Sequence, residues 1–266
     1  MRQGDDNAVT DATAPGQDDK TDGPAGPLLS VIVPAYNEEQ RIPSTIATIS
    51  CYLDEAGIDY EVIVVSDGST DGTAEVTQRL VDRYPRLRLV AYQPNHGKGY
   101  AVRTGVAAAR GTYVMFTDAD LTVPITIVDD FLTALQDGYD IAVASRRHPA
   151  SHVESPPPPL RRAMGEIFNW FVRHLIVSTP RDTQCGSKGY RAEVARRLFA
   201  RQRIDHFSFD AEVIYLAVHD GYRIKEVPAT LRYVPTTTIR PMHDSLVMLR
   251  DLVRIRLNAL RGAYDR

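Results

Sequence analysis

Short apolar runs alternate with helix-period segments through the first half of this 266-residue chain, and this alternation constrains the fold more than any other feature. The runs are rich in Val, Ile, Leu and Tyr with little polar interruption, which is typical of strands covered on both faces. The predicted strands are 29–34, 60–66, 87–92, 112–117 and 140–145, and the predicted helices are 43–56, 71–84, 99–110 and 125–136. This order predicts an α/β fold with a mostly parallel sheet flanked by helices and with ligands at the carboxyl ends of its strands.

The ends of the chain depart from this pattern. Residues 1–27 contain six Asp and two basic residues, and we predict a disordered acidic tail because they cannot bury enough apolar surface to fold. The chain carries a net charge of -3 and is close to neutral without the tail, so we predict no nucleic-acid partner. Two cysteines make no disulfide framework, and no signal core or membrane span is present, so we expect a cytoplasmic protein.

The second half is more basic. Four prolines at 156–159 predict an extended spacer, and further helices are predicted at 160–177, 192–200, 209–218 and 245–260. Between residues 160 and 203 there are ten basic and three acidic side chains. We therefore predict a helical basic annex that faces an anion.

The fourth strand ends in two acidic residues, Asp118 and Asp120, separated by one residue. Buried carboxylates need cations or hydrogen-bond donors, and Mg²⁺ or Mn²⁺ is commonly held by one or two carboxylates plus substrate phosphates. A solvated acidic turn gives the same isolated pattern, but the end of a central strand favours a ligand site.

Other strand ends carry candidate ligand-binding residues. Tyr36 and Glu38 can stack on and hydrogen-bond a planar base, although a simple turn explains them equally well. Asp67 favours a ligand, whereas Asp71 favours capping of the next helix. Lys98 opens a helix whose free amides can meet an anion. The surrounding glycines match neither a P-loop nor a dinucleotide fingerprint, which argues against a P-loop kinase and a nicotinamide dehydrogenase.

Blocks of residues after successive strands resemble, in order, the family 2 inverting glycosyltransferases of the GT-A fold. These blocks are 34–38, 66–69, 96–103, 118–120 and 145–146, and the later blocks 182–188 and 207–212 are similar to the dolichyl- or polyprenyl-phosphate β-glucosyltransferase branch. The resemblance implies a GT-A, Rossmann-like fold. It further implies a nucleotide-sugar-binding half at 28–147, an acceptor-binding half of the same catalytic domain at 148–240, and an amphipathic C-terminal helix at 241–266.

The resemblance also implies a reaction, which is metal-dependent inverting transfer of glucose from UDP-glucose to a polyprenyl monophosphate, with Mg²⁺ or Mn²⁺ as cofactor. By position, Asp120 would bind the metal, Asp118 the ribose or diphosphate, and Arg146 would lie by the donor sugar. Asp182 would lie near the donor sugar and acceptor, where a structural ion pair explains it equally well. The nucleotide-sugar contacts implied are Pro34, Ala35, Tyr36, Glu38, Asp67, Lys98, Asp118 and Ala119. Members of the family usually have two acids where this chain has Ser66 and Asp67.

A phosphate acceptor also suits the basic annex on physical grounds. A monophosphate is largely dianionic near neutral pH, so its oxygen is already a nucleophile and needs no general base. The residues that we predict to hold it are Arg161, Arg162, Arg181 and Lys188. Arg196, Arg197, Arg201 and Arg203 are explained better as a solvated helix surface.

Two basic amphipathic helices, the post-proline helix and the C-terminal one, can lie in a membrane interface. Packing against the protein's own core, or against a second copy in a homo-oligomer, explains the same pattern. Eukaryotic relatives carry a membrane span that this chain lacks, which favours a peripheral enzyme on the inner face of the membrane. Two alternative functions remain open. One is transfer with another nucleotide sugar, such as GDP-mannose, or to a soluble acceptor, and the other is non-catalytic nucleotide-sugar binding.

Overall fold

The computed structural model describes residues 26–155, 158–232 and 241–265. The predicted acidic tail, except Gly26 and Pro27, and half of the predicted proline spacer therefore lie outside the described residues. The strands are β1 (Leu29–Ala35), β2 (Tyr60–Asp67), β3 (Leu87–Tyr92), β4 (Tyr113–Phe116), β5 (Ile141–Ser145), β6 (His152–Ser155), β7 (Lys188–Arg191), β8 (Ile224–Pro228) and β9 (Thr230–Arg232). The helices are α1 (Ile42–Glu55), α2 (Thr73–Val81), α3 (Lys98–Ala108), α4 (Ile127–Gln136), α5 (Pro159–Leu175), α6 (Ala192–Arg201), α7 (Phe209–His219) and α8 (Pro241–Leu260).

Seven strands form one mostly parallel sheet in the order β3-β2-β1-β4-β7-β5-β8. Only β7 runs against its two neighbours, β4 and β5. The chain builds outward from β1 through β2 to β3 and then returns to place β4 on the other side of β1. The sheet therefore has a topological switch point between β1 and β4, where open α/β sheets bind their ligands. Strands β6 and β9 form a separate parallel pair.

Both faces of the central strands are buried, which explains their continuous apolar sequence. Along β1, Ile32 faces a core built with α3, α5, α6, α7 and α8, whereas Val31 and Val33 face a core built with α1 and α4. Strand β3 lies at one edge of the sheet, and most of its side chains are only partly buried. The prediction of a mostly parallel α/β sheet flanked by helices is confirmed.

The predicted elements of the first half match those observed to within about two residues, apart from the ends of α2, which is shorter than predicted. Four strands were not predicted, namely β6, β7, β8 and β9. Strand β7 has the sequence Lys-Gly-Tyr-Arg, so no apolar run marks it in the sequence. Its first residue is a lysine that is buried in an ion pair. Strand β8, with the sequence Ile-Lys-Glu-Val-Pro, lies at the opposite edge of the sheet and shows no regular alternation of apolar and polar residues.

Candidate active site

The loops that follow β1, β2 and β4, together with the start of α3, meet at the carboxyl end of the sheet around the switch point. Helix α3 begins at Lys98, and Gly97 precedes it with φ +108°. A Cβ atom on Gly97 would lie 2.4 Å from His206 Nδ1 and 2.6 Å from the carbonyl oxygen of Asp205. Glycine is therefore required here both for its backbone conformation and for space, and this close approach holds the start of α3 against the loop that precedes α7.

Asp118 and Lys98 form an ion pair, with 2.5 Å between Lys98 Nζ and Asp118 Oδ1. Burial alone would lower the pKa of Lys98, but the carboxylates of Asp118, Asp210 and Asp120 outweigh it and raise that pKa. Lys98 therefore stays charged at the strand end. The other carboxylate oxygen, Asp118 Oδ2, lies against Gly186, where a Cβ atom would approach it to 2.0 Å. The loop before β7 thus closes over Asp118.

Asp120 differs from Asp118, Asp182 and Asp210 in its partners. One of its oxygens accepts a hydrogen bond from the backbone N–H of Thr122 at 2.9 Å, and within the described residues it has no ion-pair partner. The next residue, Leu121, has φ +47°, which costs a side chain of this kind about 1–2 kcal/mol. Such strain is concentrated at functional sites, where surrounding contacts hold it. Asp120 is therefore a carboxylate that is held by a backbone contact and forms no ion pair with any described residue.

The loops after β1 and β2 are joined by hydrogen bonds. Asn37 accepts the backbone N–H of Thr70 at 2.8 Å, and Thr73 Oγ1 accepts the backbone N–H of Glu38 at 2.8 Å. Asn37 has φ +57°, a conformation that Asn tolerates better than most residues. Tyr36 is left partly exposed at the rim of the site, with 38% of its surface accessible. A ring in this position is available to a planar ligand.

Glu38 turns toward Arg41 and forms an ion pair with it. Burial raises the pKa of the Glu38 carboxyl, and Asp120 nearby adds to this rise, although Arg41 opposes it. The negative charge of Asp120, after β4, therefore acts on the Glu38 carboxyl. Asp71 accepts the backbone N–H of Thr73, the first residue of α2, at 3.0 Å, but the cap position of α2 is Gly72 and no side chain caps the helix, so the predicted capping role of Asp71 is wrong.

Asp67 is almost fully buried at the end of β2. Its carboxylate accepts hydrogen bonds from the backbone N–H groups of His96 and Gly97, at 2.9 and 2.8 Å, and from Asn95 Nδ2 at 2.8 Å. Those donors all belong to the loop before α3. Asp67 therefore positions the segment that carries Lys98.

Arg146 and Asp182, which the sequence placed near the donor sugar, contact each other. Arg146 Nε and Nη2 donate to the two carboxylate oxygens of Asp182 at 2.7 and 2.8 Å, and the backbone N–H of Arg146 donates to Oδ2 at 3.0 Å. Burial of Asp182 would raise its pKa, but Arg146 more than offsets this and lowers the pKa to about 2. The same carboxylate raises the pKa of Arg146. Arg146 nevertheless keeps part of its side chain accessible, so it can meet an anion.

Lys188 and Asp210 form a buried ion pair, with 2.6 Å between Nζ and Oδ1. Lys188 is 0% exposed, also donates to the carbonyl oxygen of Cys185 at 2.8 Å, and lies over the ring of Phe116. Burial raises the pKa of Asp210, although Lys188 and Lys98 oppose the rise. Asp210 therefore interacts electrostatically with both Lys188 and Lys98. Lys188 lies inside the protein, where it shapes the field of the site.

The structure adds Glu226, which sequence reasoning missed. Its Oε1 accepts hydrogen bonds from the backbone N–H groups of Arg181 and Asp182, at 2.7 and 3.3 Å, and from Ser145 Oγ at 3.1 Å. It therefore fixes the loop that carries Asp182 against the end of β5. The only sequence signal is an acidic residue in the short strand β8, whose apolar and polar residues do not alternate.

The remaining predicted residues lie either at the strand ends or on the later, basic part of the chain. Pro34 and Ala35 end β1, and Ala119 is buried between the two acids of the β4 end, so these three line the strand ends. Arg162 lies exposed near the start of α5, and Arg181 lies exposed before Asp182. The side chain of Arg161 lies outside the described part of α5. Glu212 has a structural role, because it accepts the backbone N–H groups of Arg203 and Ile204 and the Tyr264 hydroxyl.

The sheet has the GT-A glycosyltransferase fold. Glucosyl-3-phosphoglycerate synthase from Mycobacterium tuberculosis, solved with Mn²⁺, UDP and glucosyl-3-phosphoglycerate, shares the fold at a TM-score of 0.64 and 21% identity, over 88% of this chain and 80% of that one. Residues 30–199 match the sequence family "Glycosyl transferase family 2".

The chain therefore belongs to glycosyl transferase family 2 and is a glycosyltransferase. It is 36% identical to the dolichyl-phosphate beta-glucosyltransferase of Drosophila melanogaster, over 89% of this chain and 76% of that protein. It is 32% identical to the human dolichyl-phosphate beta-glucosyltransferase, over 89% of this chain and 77% of that protein. The resemblance drawn from the sequence blocks is confirmed at the level of family and branch.

Proposed function

We propose that the protein transfers glucose with inversion from UDP-glucose to a polyprenyl, dolichyl-type monophosphate, giving polyprenyl-phosphate-glucose and UDP. The observation that carries the proposal is the end of β4, where Asp118 pairs with Lys98 and Asp120 has no cation of its own among the described residues. The names of the relatives and of the structural neighbour support the choice of acceptor and donor.

The donor side of the site is built from the strand ends. Tyr36 lies at the rim, where its ring can stack on the uracil base, and Glu38 and Asp67 hold the loops around it. Lys98 keeps its charge and lies where the donor diphosphate would meet the amide groups at the start of α3. Asp118 holds Lys98 in place and offers its carboxylate to the ribose or diphosphate.

The residues present fit a divalent metal. Asp118, Asp182 and Asp210 each pair with a cation, and Asp120 alone of the four has none within the described residues. Carboxylate oxygens suit Mg²⁺ and Mn²⁺, which use one or two of them together with substrate phosphates. In agreement, no three His, Cys, Asp or Glu side chains of the described chain converge into a site made by protein alone. Asp120 would hold the ion, which would act as a Lewis acid on the leaving diphosphate.

The acceptor needs positioning and charge compensation more than proton removal. Its phosphate oxygen is already ionised near neutral pH, so the main task of the protein is to bring two anions together. Arg146 is fixed by Asp182 and still partly accessible, and Gly186 in the same loop touches Asp118. The pair of Arg146 and Asp182 therefore lies between the diphosphate side of the site and the basic annex. Arg146 would meet the donor sugar or the incoming phosphate there.

A lipid acceptor requires the enzyme to reach a membrane surface, and α8 offers one. Its exposed apolar residues repeat at spacings of seven, four and three, which places them on one side of the helix: Leu246, Val253, Leu257 and Leu260. Exposed arginines flank this side: Arg250, Arg254, Arg256 and Arg261. Among the described helices, none is both long and apolar enough to cross a bilayer. Peripheral attachment to the cytoplasmic face of the membrane through this side of α8 accounts for the exposed leucines.

The experiment is sugar transfer with two donors in parallel. Purified protein is incubated with labelled UDP-glucose or GDP-mannose, with polyprenyl phosphate in detergent, and with Mg²⁺, Mn²⁺ or a chelator. We expect label in the lipid fraction from UDP-glucose with either ion, and little with the chelator or from GDP-mannose. If only GDP-mannose labels the lipid, UDP-glucose is not the donor. If transfer is undiminished in the presence of the chelator, the reaction does not need a metal.

A further inference from the structure

A groove runs along α5 beside the end of β5 and is distinct from the donor side of the site. Its volume is about 820 Å³, and both apolar or aromatic side chains and cationic ones line it. The residues that matter here are Arg147, Glu166, Ile167, Trp170, Arg173 and His174. We infer that this groove, named here the α5 groove, binds the phosphate and first isoprene units of the polyprenyl phosphate acceptor, with Arg147 as its main phosphate-binding residue.

The position of the groove follows from its chain neighbours. Arg147 follows Arg146 directly, and Arg181 precedes Asp182 directly. When the oxygen and nitrogen of the Asn169 side-chain amide are exchanged, its nitrogen donates to the carbonyl oxygen of Arg181 at 3.0 Å and its oxygen accepts from Arg147 Nε at 3.2 Å. Helix α5 is therefore tied to the segments on both sides of the pair of Arg146 and Asp182. An anion in the groove lies next to that pair.

The charges of the groove suit a phosphate. Arg147 Nη1 now donates to Glu166 Oε2 at 2.8 Å, and Glu166 is mostly exposed. An exposed ion pair of this kind is worth little, so a dianionic phosphate can displace Glu166 from Arg147. Arg162, Glu166 and Arg173 follow one another at spacings of four and seven residues, which places two further cations on the same side of α5. The carboxylate of Glu166 thus competes with the acceptor for Arg147.

The apolar side of the groove suits an isoprenoid chain. Ile167 and Trp170 leave more than half of their surface exposed, and the indole of Trp170 lies 4.3 Å from the ring centroid of His174. Exposed aromatic and aliphatic side chains next to a cation are the groups that an amphiphile with an anionic head would cover. A free inorganic phosphate would leave this side uncovered, and an uncharged polyprenol would leave Arg147 with Glu166.

Trp170 is the only tryptophan of the chain, so its fluorescence reports directly on the groove. The full-length protein is titrated with farnesyl phosphate below its micelle concentration, and with farnesol and inorganic phosphate as separate arms. We expect farnesyl phosphate to shift the Trp170 emission to shorter wavelength in a saturable way, at concentrations at least tenfold lower than either of the other two. No shift, or an equal response to farnesol, would overturn the inference.

Three variants test the assignment. Arg147→Ala should weaken farnesyl phosphate binding at least tenfold, and Arg197→Ala, an exposed arginine on α6, should leave it unchanged. Glu166→Gln should strengthen binding severalfold, and because Glu166 is exposed this variant folds even if Arg147→Ala does not. Unchanged affinity in Glu166→Gln, or in a folded Arg147→Ala protein, would contradict the assignment.

The inference rests on the proposed function for the choice of ligand, and the two fail in different ways. If farnesyl phosphate binds in the groove but the wild-type protein transfers no glucose, the assignment of the groove stands and the proposed reaction is wrong. Normal transfer by the wild-type protein, unaffected by Arg147→Ala and Glu166→Gln, would retain the reaction and overturn the groove.

Discussion

Arg146 and Asp182 lie 36 residues apart in the chain and form a two-point ion pair, with 2.7 Å from Nε to Oδ2 and 2.8 Å from Nη2 to Oδ1. Asp182 is 1% exposed, whereas Arg146 keeps part of its guanidinium accessible. The geometry fixes Arg146 directly before Arg147, which lines the α5 groove. Two-point pairing restricts rotation as well as position, which a single lysine contact would not do.

This pair makes the stability of the protein depend on pH in the acid range. The folded-state pKa of Asp182, about 2, lies below the ordinary value of 3.8, so the unfolded chain binds the proton first as the pH falls. The stabilisation is complete above about pH 4 and declines toward pH 2, by about 2 kcal/mol in total. Urea unfolding of the wild-type and Asp182→Asn proteins between pH 5 and pH 2 measures it. Equal slopes of unfolding free energy against pH in the two proteins would contradict the assignment.

Asp120→Asn is expected to lower sugar transfer at least a hundredfold while leaving the fold intact. Asparagine keeps an oxygen that can accept the backbone N–H of Thr122, but it loses the charge that would hold the metal. Transfer rates and thermal unfolding of the variant are compared with those of Asp137→Asn, an exposed aspartate after α4. Wild-type activity in Asp120→Asn would remove Asp120 from the metal site.

Lys188→Met is expected to lower the free energy of unfolding by about 3–5 kcal/mol, because it leaves the buried carboxylate of Asp210 without its partner. The double variant Lys188→Met, Asp210→Leu should regain much of this stability, since no buried charge is then left unpaired. Transfer should stay low in the double variant because Lys98 also loses the field of Asp210. Chemical denaturation gives the stabilities, and a double variant less stable than the single one would refute the argument.

Leu260→Glu is expected to weaken attachment to anionic vesicles without changing stability. Leu260 is 76% exposed at the end of the apolar side of α8, so the substitution removes little buried surface. Co-sedimentation at low and high salt measures the binding, and Val218→Glu, at an exposed apolar position on α7, is the control. If both variants pellet as the wild-type protein does, α8 is not the membrane-facing surface.

Much of the first half of the fold could be predicted because its information is local. The strands β1, β2 and β5 are mostly apolar runs, and Asp118 and Asp120 follow the apolar strand β4 within four residues. The position of Lys98 at the start of a helix could likewise be inferred from the glycines around it.

The rest depends on partners that are distant in sequence. Strand β7 enters the sheet between β4 and β5 with a lysine as its first residue, and that lysine is neutralised by Asp210, 22 residues later. The contacts of Glu226 with Arg181 and Asp182 cross 45 and 44 residues. Sequence reasoning placed Lys188 on an acceptor phosphate because a buried lysine and an exposed one look alike without their neighbours.

The most direct test of the account is the chemical identity of the product. Wild-type protein, UDP-glucose, polyprenyl phosphate and Mn²⁺ are incubated, and the lipid fraction is analysed by mass spectrometry and by NMR of the anomeric proton. We expect a β-linked polyprenyl-phosphate-glucose with one UDP released per molecule formed. Free glucose and UDP without a glycolipid, or an α-linked product, would contradict it.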